Sequence, residues 1–520
     1  MINPGALLNW AAKRFSRREA IIDRERRFRF VDVHRRSNQI ANALIHHGLV
    51  REGRVAKLMN NCAELIETQF AAAKAGGASV NLHARGAAAE HVHMLNDSET
   101  DFLFVDEAHR EQVSSILDGC AQPLQVIGIG WEDEGVASYH SWLEGASDRD
   151  LDVQVEQDSL FHLHYTSGTT GKAKAVVNTH RTHRAWMSKF FMNLEYRLGV
   201  EDSMLHVAPL THAAFNYIET YFVRGARNII LPSFDPELFF DTLERERATT
   251  TFWVPTMIPM ILACEKRGKA DLSSLHTICY GASPIAEEAL RRAIEEFGPI
   301  FRQHYGLTEA RQPLTLLLPD EHVTGGSPEQ TRRLASCGRP VHGVSFALLD
   351  DQDHPVPTEE IGEICVRGDH AMTGYWKNEE ATAEAIRSGW VHTGDLARMD
   401  EEGHVYIVDR KKDLIISGGF NIYPREVENA ICRHPGVHEA VVFGVPDEKW
   451  GEAVNALVVL KEGHQLTVSD VQEFCGKEIA GFKRPKHVEF IIELPKNSRG
   501  KIMRKEIRDR YWKNMPRNVN

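Results

Sequence analysis

The chain has 520 residues, a net charge of −12, and 42% hydrophobic against 26% charged side chains. That length exceeds what one hydrophobic core supports, so at least two domains are expected, and the balance of apolar to charged residues excludes a disordered class. The acidic surplus argues against broad, sequence-independent binding to nucleic acid.

In chain order, the first 120 residues offer helical "DVHRRSNQIANALIHHG" and "CAELIETQFAAAKAGG", followed by the short strand "ASVNLH". From Leu160 onward, strands are expected in "FHLHYTSG", "SMLHVAPL", "ARNIILP", "TTTFWVP", "HTICYGAS" and "IFRQHYG", and helices in "DPELFFDTLERERA" and "SPIAEEALRRAIEEFG". Such alternation predicts stacked α/β architecture with largely parallel sheets. After about Gly343 the pattern turns β-rich, in "SFALLD", "GEICVRG" and "GHVYIVD". The tail from "DLIISGG" to "HVEFIIEL" reads as a compact α+β unit of about a hundred residues. The charged stretch "DRKKD" at 409–413 looks like an exposed linker, dividing the chain into a large N-terminal domain, 1–410, and a small C-terminal domain, 411–520.

Charge is unevenly spread, because 481–520 holds twelve Lys and Arg against four Asp and Glu. A basic segment facing an acidic body suits a lid over a polyanion, and a solvated basic helix is the plainer alternative. The 8 cysteines are scattered singly without a C-x-x-C pair, as buried thiols in a reducing compartment would be. No signal peptide and no apolar run of about eighteen residues is found, which points to a soluble, cytoplasmic protein.

The stretch "YTSGTTGKAKAV" begins at Tyr165. It is not a Walker loop, since Gly168 and Gly171 are only three apart and no hydroxyl residue follows Lys172 to ligate Mg²⁺. Thr166, Ser167, Thr169 and Thr170 still supply hydroxyl donors, and Gly168 and Gly171 let backbone N–H groups turn around an anion. A phosphate-holding turn after a strand is the functional reading, and a polar surface turn the alternative.

Five further stretches follow in order: "YGASP" at 280–284, "YGLTE" at 305–309, "GWVHTGD" at 389–395, "DRKKDLIISGGFNIYPREVE" at 409–428 and "PKNSRGKIMR" at 495–504. Together with the Gly-rich stretch they resemble the adenylate-forming superfamily, which includes acyl-CoA synthetases, peptide-synthetase adenylation domains and beetle luciferases. The resemblance covers essentially the whole chain. It implies a carboxylate attacking the α-phosphate of ATP, release of pyrophosphate, and transfer of the acyl group from acyl-AMP to a thiol.

The resemblance also assigns roles. Thr166, Ser167, Gly168, Thr169, Thr170, Gly171 and Lys172 would hold the β- and γ-phosphates. Tyr305 would stack on adenine beside Gly306, and Gly281, Ala282 and Ser283 would line the adenine and acyl pockets. Thr308 would contact the α-phosphate, and Glu309 would ligate Mg²⁺. Asp395 and Arg410 resemble ribose contacts. Lys501 would be the catalytic lysine, meeting the charge that grows at the α-phosphate. Lys412 falls at a hinge, and Ser417, Gly418 and Gly419 would leave room for the pantetheine arm of CoA.

The acid is less legible. His212, in "PLTHAAFNY", is a candidate neighbour of the carboxylate, with Asn216, Tyr217 and the Gly281 region as further walls. Arg311, in "TEARQP", is a candidate for recognising a polar or second anionic group, or else braces a loop. ATP, Mg²⁺ and CoA are the implied cofactors and co-substrates, with a fatty or aromatic, polar-substituted acid as substrate. A separate carrier protein in place of CoA, or an adenylate-binding protein without activity, remain as alternatives, and a homodimer is left open. The 26 histidines carry no H-E-x-x-H motif, so a metal hydrolase is set aside.

Overall fold

Strands covered on both faces set the frame of the protein. In the computed structural model, which describes residues 3–166, 172–194, 197–212, 214–496 and 502–512, the strands Ala78–Asn81, Thr250–Trp253 and Thr277–Gly281 contain only buried residues. Neither face of these strands meets water, so even the alternating Ser79 and Asn81 of the first are buried. The stacked α/β architecture expected from the sequence is present. The chain divides into two units, Met1–Phe346 with Val366–Val391, and Ala347–Cys365 with His392–Asn520.

In the first unit, a seven-stranded sheet ends in the antiparallel pair β1 (Leu160–Thr166) and β2 (Lys174–Thr179), the other neighbours being parallel. Helix α1 (His180–Met192) follows β2 at once. Its first turn is capped by the Thr179 hydroxyl, which accepts from the Thr182 N–H at 3.3 Å. Helix α2 (Phe215–Arg224) stops at Gly225, whose φ of 71° lies in the left-handed region.

A nine-stranded sheet carries β3 (Thr277–Gly281) and β4 (Phe301–Tyr305) as parallel neighbours near one edge. One core joins both sheets, from Val55, Phe102 and Phe104 through Leu65 and Phe70 to Leu205, Ile229 and Phe252. The helix Ala63–Lys74 is buried at every position. Its apolar residues join that core, and its acidic residues are paired within the fold, Glu64 with Arg26 and Glu67 with Arg36.

In the second unit, β5 (Trp390–Met399) pairs antiparallel with β6 (Val405–Arg410), bringing Asp395 opposite Arg410. A further sheet is built on the long hairpin Val437–Asp447 and Gly451–Leu460. Its two faces are covered separately. Val442, Val454 and Val458 pack with Val427, Ile431 and Val471, whereas Val441, Phe443 and Leu457 pack with Leu494 and Ile507.

The stretch 409–413 differs from the expected exposed linker. It completes β6 and then forms a single 3₁₀ turn, Lys411–Asp413. Asp409 is buried, and its carboxylate accepts the backbone N–H groups of Arg410 and Arg425, each at 2.7 Å. Run-of-charge reasoning failed there because backbone donors satisfy the carboxylate inside the fold.

Candidate active site

The C-terminal ends of parallel strands gather the first unit's candidate residues, the usual position for a ligand crevice in such sheets. Gly281 ends β3 and Tyr305 ends β4. A Cβ on Gly281 would lie 2.2 Å from the His304 carbonyl oxygen, so only glycine lets the two strands approach here. Ala282 follows with φ 69°, a left-handed conformation rare outside glycine, and Ala282 and Ser283 are exposed. Thr166 ends β1, with its hydroxyl 3.4 Å from the Lys174 carbonyl, and Lys172 is exposed. Ser167, Gly168, Thr169, Thr170, Gly171 and Lys501 lie outside the described residues.

Beyond β4 the chain doubles back. A Cβ on Gly306 would stand 2.7 Å from the Gln312 Cα, and the Leu314 N–H donates to the Tyr305 carbonyl at 2.7 Å. The loop so closed presents Thr308 and Glu309 half-buried. The Glu309 carbonyl accepts from the Met372 N–H at 2.7 Å, and one carboxylate oxygen accepts from the Tyr375 hydroxyl at 2.9 Å. The other carboxylate oxygen has no hydrogen-bond partner among the described residues. An open, hard oxygen donor of this kind fits Mg²⁺.

Tyr375 was not found by the sequence reading. Its segment is strapped to β2, with the Trp376 N–H on the Ala175 carbonyl at 2.8 Å and the Val177 N–H on the Gly374 carbonyl at 3.0 Å. Burial, and then the Glu309 charge, push the Tyr375 phenol above its ordinary range, so it remains a donor.

Arg311 begins a buried network that joins the same loop to α1 and α2. Its Nη1 donates to His183 Nδ1 at 2.7 Å and its Nη2 to Asn216 Oδ1 at 3.2 Å, while the guanidinium lies 3.9 Å from the centre of the Trp186 ring. His183 Nε2 stands 2.6 Å from Glu219 Oε2, both side chains being almost wholly enclosed. The Lys189 ammonium donates to the Arg311 carbonyl at 2.6 Å, and the Trp186 indole to the Gln312 carbonyl at 2.8 Å. Burial lowers the Arg311 pKa to about 10, against the pull of Glu219. His183, Lys189 and Glu219 were also missed. The available signal was a glutamate inside the apolar run "FNYIETYF" of α2.

The remaining acid-pocket candidates divide. Asn216 and His212 are half-open, and His212 Nδ1 lies 3.0 Å from the Thr211 hydroxyl with ring contacts to His83 and His164. Tyr217 is fully buried, its hydroxyl 3.1 Å from His304 Nδ1 among Phe190 and Phe252.

In the second unit, Arg410 Nε lies 2.9 Å from Asp395 Oδ1 across the β5–β6 pair. Lys412 is exposed within the 3₁₀ turn, its carbonyl 3.4 Å from Arg508 Nη1. Ser417, Gly418 and Gly419 form a hairpin tip in which the space beside Gly418 is filled by the Trp450 indole, 2.5 Å from where a Cβ would lie. Nothing stands within 4 Å of the corresponding point on Gly419.

Polar strand-end residues beside a tethered carboxylate fit nucleotide chemistry. The model of the family described as AMP-binding enzyme matches residues 8–376, and that of the AMP-binding enzyme C-terminal domain matches residues 426–501. The chain belongs to the AMP-binding enzyme family. Within it, this AMP-binding enzyme falls in the acyl-CoA ligase branch. It is 37% identical to a feruloyl-CoA synthase of an Amycolatopsis species, over 93% of this chain and 94% of that one. It is 35% identical to a fatty acid–[acyl-carrier-protein] ligase of Streptomyces coeruleorubidus, over 96% and 95%. The solved structure of ATP-bound MatB from Rhodopseudomonas palustris superposes with a TM-score of 0.87 at 28% identity, covering 98% of this chain and 99% of that one. Among the described residues of this AMP-binding enzyme, no helix is long and apolar enough to cross a membrane.

Proposed function

We propose that this enzyme is an AMP-forming carboxylic acid–CoA ligase. The observation that carries the reading is Glu309, tethered through one oxygen by Tyr375 and open at the other, on the loop that follows Tyr305 in a chain of this family. A carboxylate is a poor acyl donor because oxide or hydroxide would have to leave. Its oxygen therefore attacks the α-phosphorus of ATP, pyrophosphate departs, and the acid becomes a mixed anhydride with AMP. The thiol sulfur of CoA then attacks the acyl carbon, AMP leaves, and the thiol proton is released.

Tyr305 offers its ring to adenine, Asp395 and Arg410 their polar groups to ribose, and Thr308 its hydroxyl to the α-phosphate. Glu309 would hold Mg²⁺, which when bound would offset phosphate charge. Lys501 supplies a positive charge at the reacting oxygens. Between the two half-reactions the C-terminal domain, 411–520, turns about Lys412 and presents the tip at Ser417, Gly418 and Gly419 to the thiol substrate. That Gly419 meets nothing within 4 Å supports room for a narrow arm there. None of the eight cysteines is in a disulfide, which suits a reducing compartment.

The acceptor has a second reading, a carrier protein, favoured by the similarity to the Streptomyces coeruleorubidus ligase. The test is pyrophosphate and AMP release from ATP and Mg²⁺ across short, long, aromatic and dicarboxylic acids, with and without CoA, beside Lys501→Ala. The ligase reading expects acid-dependent pyrophosphate and CoA-dependent thioester, with the substitution costing about 10²–10³ in rate. Pyrophosphate without any CoA thioester would move the acceptor to a carrier protein.

A further inference from the structure

We propose that the natural acid carries a second anionic group, most simply a second carboxylate, and that Arg311 receives it. This rests on the ligase reading and names its substrate class.

The acceptors around Arg311 are neutral. His183 accepts the Arg311 N–H at Nδ1, so its own proton sits on Nε2, where it donates to Glu219. His183 is therefore a neutral ring in this arrangement. Asn216 offers a carbonyl oxygen, also neutral, and Trp186 offers a ring face. No carboxylate lies within ion-pair distance of Arg311 among the described residues, and Glu219 stands behind His183. On the other side Lys189 donates to the carbonyls of Ala310 and Arg311 and brings no negative charge.

A guanidinium stays charged and loses its hydration when enclosed, which is costly without an anion beside it. A neutral side chain would hold the loop to His183 and Asn216 without that cost. Bracing alone therefore does not explain an arginine here. Two of its five N–H groups are used, and the rest meet no acceptor among the described residues. Part of the residue's surface remains open, as it does on neighbouring Asn216. The fork is thus held from one side by neutral acceptors, with donors left over for a planar oxyanion.

Arg311 follows Glu309 by two residues on a loop pinned at both ends, and φ at Arg311 is 46°, a left-handed conformation for a non-glycine residue. Strain of that kind persists where the surroundings enforce it, as the Lys189 and Trp186 hydrogen bonds do here.

The experiment compares α,ω-dicarboxylic acids of increasing length, and benzene-linked diacids, with their monomethyl esters, reading acid-dependent pyrophosphate release as kcat/KM. The wild-type enzyme should favour at least one diacid over its own ester by about tenfold to a hundredfold. In Arg311→Gln that ratio should fall to about one, and Arg311→Lys, which keeps the charge but loses the fork, should keep part of it. An equal fall for diacid and ester in Arg311→Gln would put Arg311 on the reacting carboxylate or in loop bracing and overturn the proposal. Should Arg311→Gln not fold, the wild-type panel still decides, since preference for the ester at every length overturns it. No pyrophosphate from any acid would instead sink the ligase reading, and this inference with it.

Discussion

Glu309 and Arg311 stand two residues apart, and the fold treats them oppositely. Among the described residues, one Glu309 oxygen accepts from a phenol and the other has no partner, whereas Arg311 meets only neutral acceptors. A hydroxyl that fixes a ligating carboxylate sets both its direction and its charge. Tyr375→Phe removes that hydroxyl and little else. It should raise the Mg²⁺ needed for half-maximal pyrophosphate release by about tenfold to a hundredfold, with KM for the acid unchanged. An unaltered Mg²⁺ requirement would take Tyr375 out of this role. Glu309 was legible from "YGLTE", because a run of neighbours marks it. Tyr375 reaches it from 66 residues away and leaves no local pattern. Arg311 was noticed for its charge, yet its partners on two helices could not be read from spacing.

At the scale of elements, the strands were legible for a physical reason. Short runs rich in β-branched and aromatic residues, bounded by turn residues, marked them, and each expected strand between Leu160 and Tyr305 is present. Helix α1 shows what spacing alone does not reveal. His183 and Lys189 look like a polar face, and both are buried because α2 and the 306–312 loop supply their partners. The turn after β4 depends on Gly306. Gly306→Ala would set a Cβ against the Gln312 backbone and displace the loop carrying Thr308 and Glu309. A shift near 1 Å in such a site costs about a hundredfold in kcat/KM. Steady-state kinetics for ATP beside a thermal melt check this, and a variant with wild-type kinetics would show that the loop does not need this approach.

At the scale of the whole molecule, buried neutral histidines link stability to pH. Burial takes the pKa of His206 and His322 from 6.5 to about 4, and that of His304 to about 3. Below pH 6.5 the unfolded chain takes up protons on these rings and the folded chain does not, so stability is full above 6.5 and falls as pH drops toward 4. The slope is up to about 1.4 kcal/mol per pH unit for each histidine. Urea midpoints at pH 7.5, 6 and 5 should decline in that order, and equal midpoints at 7.5 and 5 would contradict it.

The proposed division of labour between a nucleotide-holding body and a C-terminal domain carrying Lys501 rests on motif order, since no single motif fixes it. The central claim is that the enzyme makes an acyl-adenylate. ATP–pyrophosphate exchange without CoA measures that step alone. Exchange should require a carboxylic acid and Mg²⁺, appear with only part of an acid panel, and need no thiol. Exchange that ignores the acid, or no exchange with any acid on a broad panel, would contradict it.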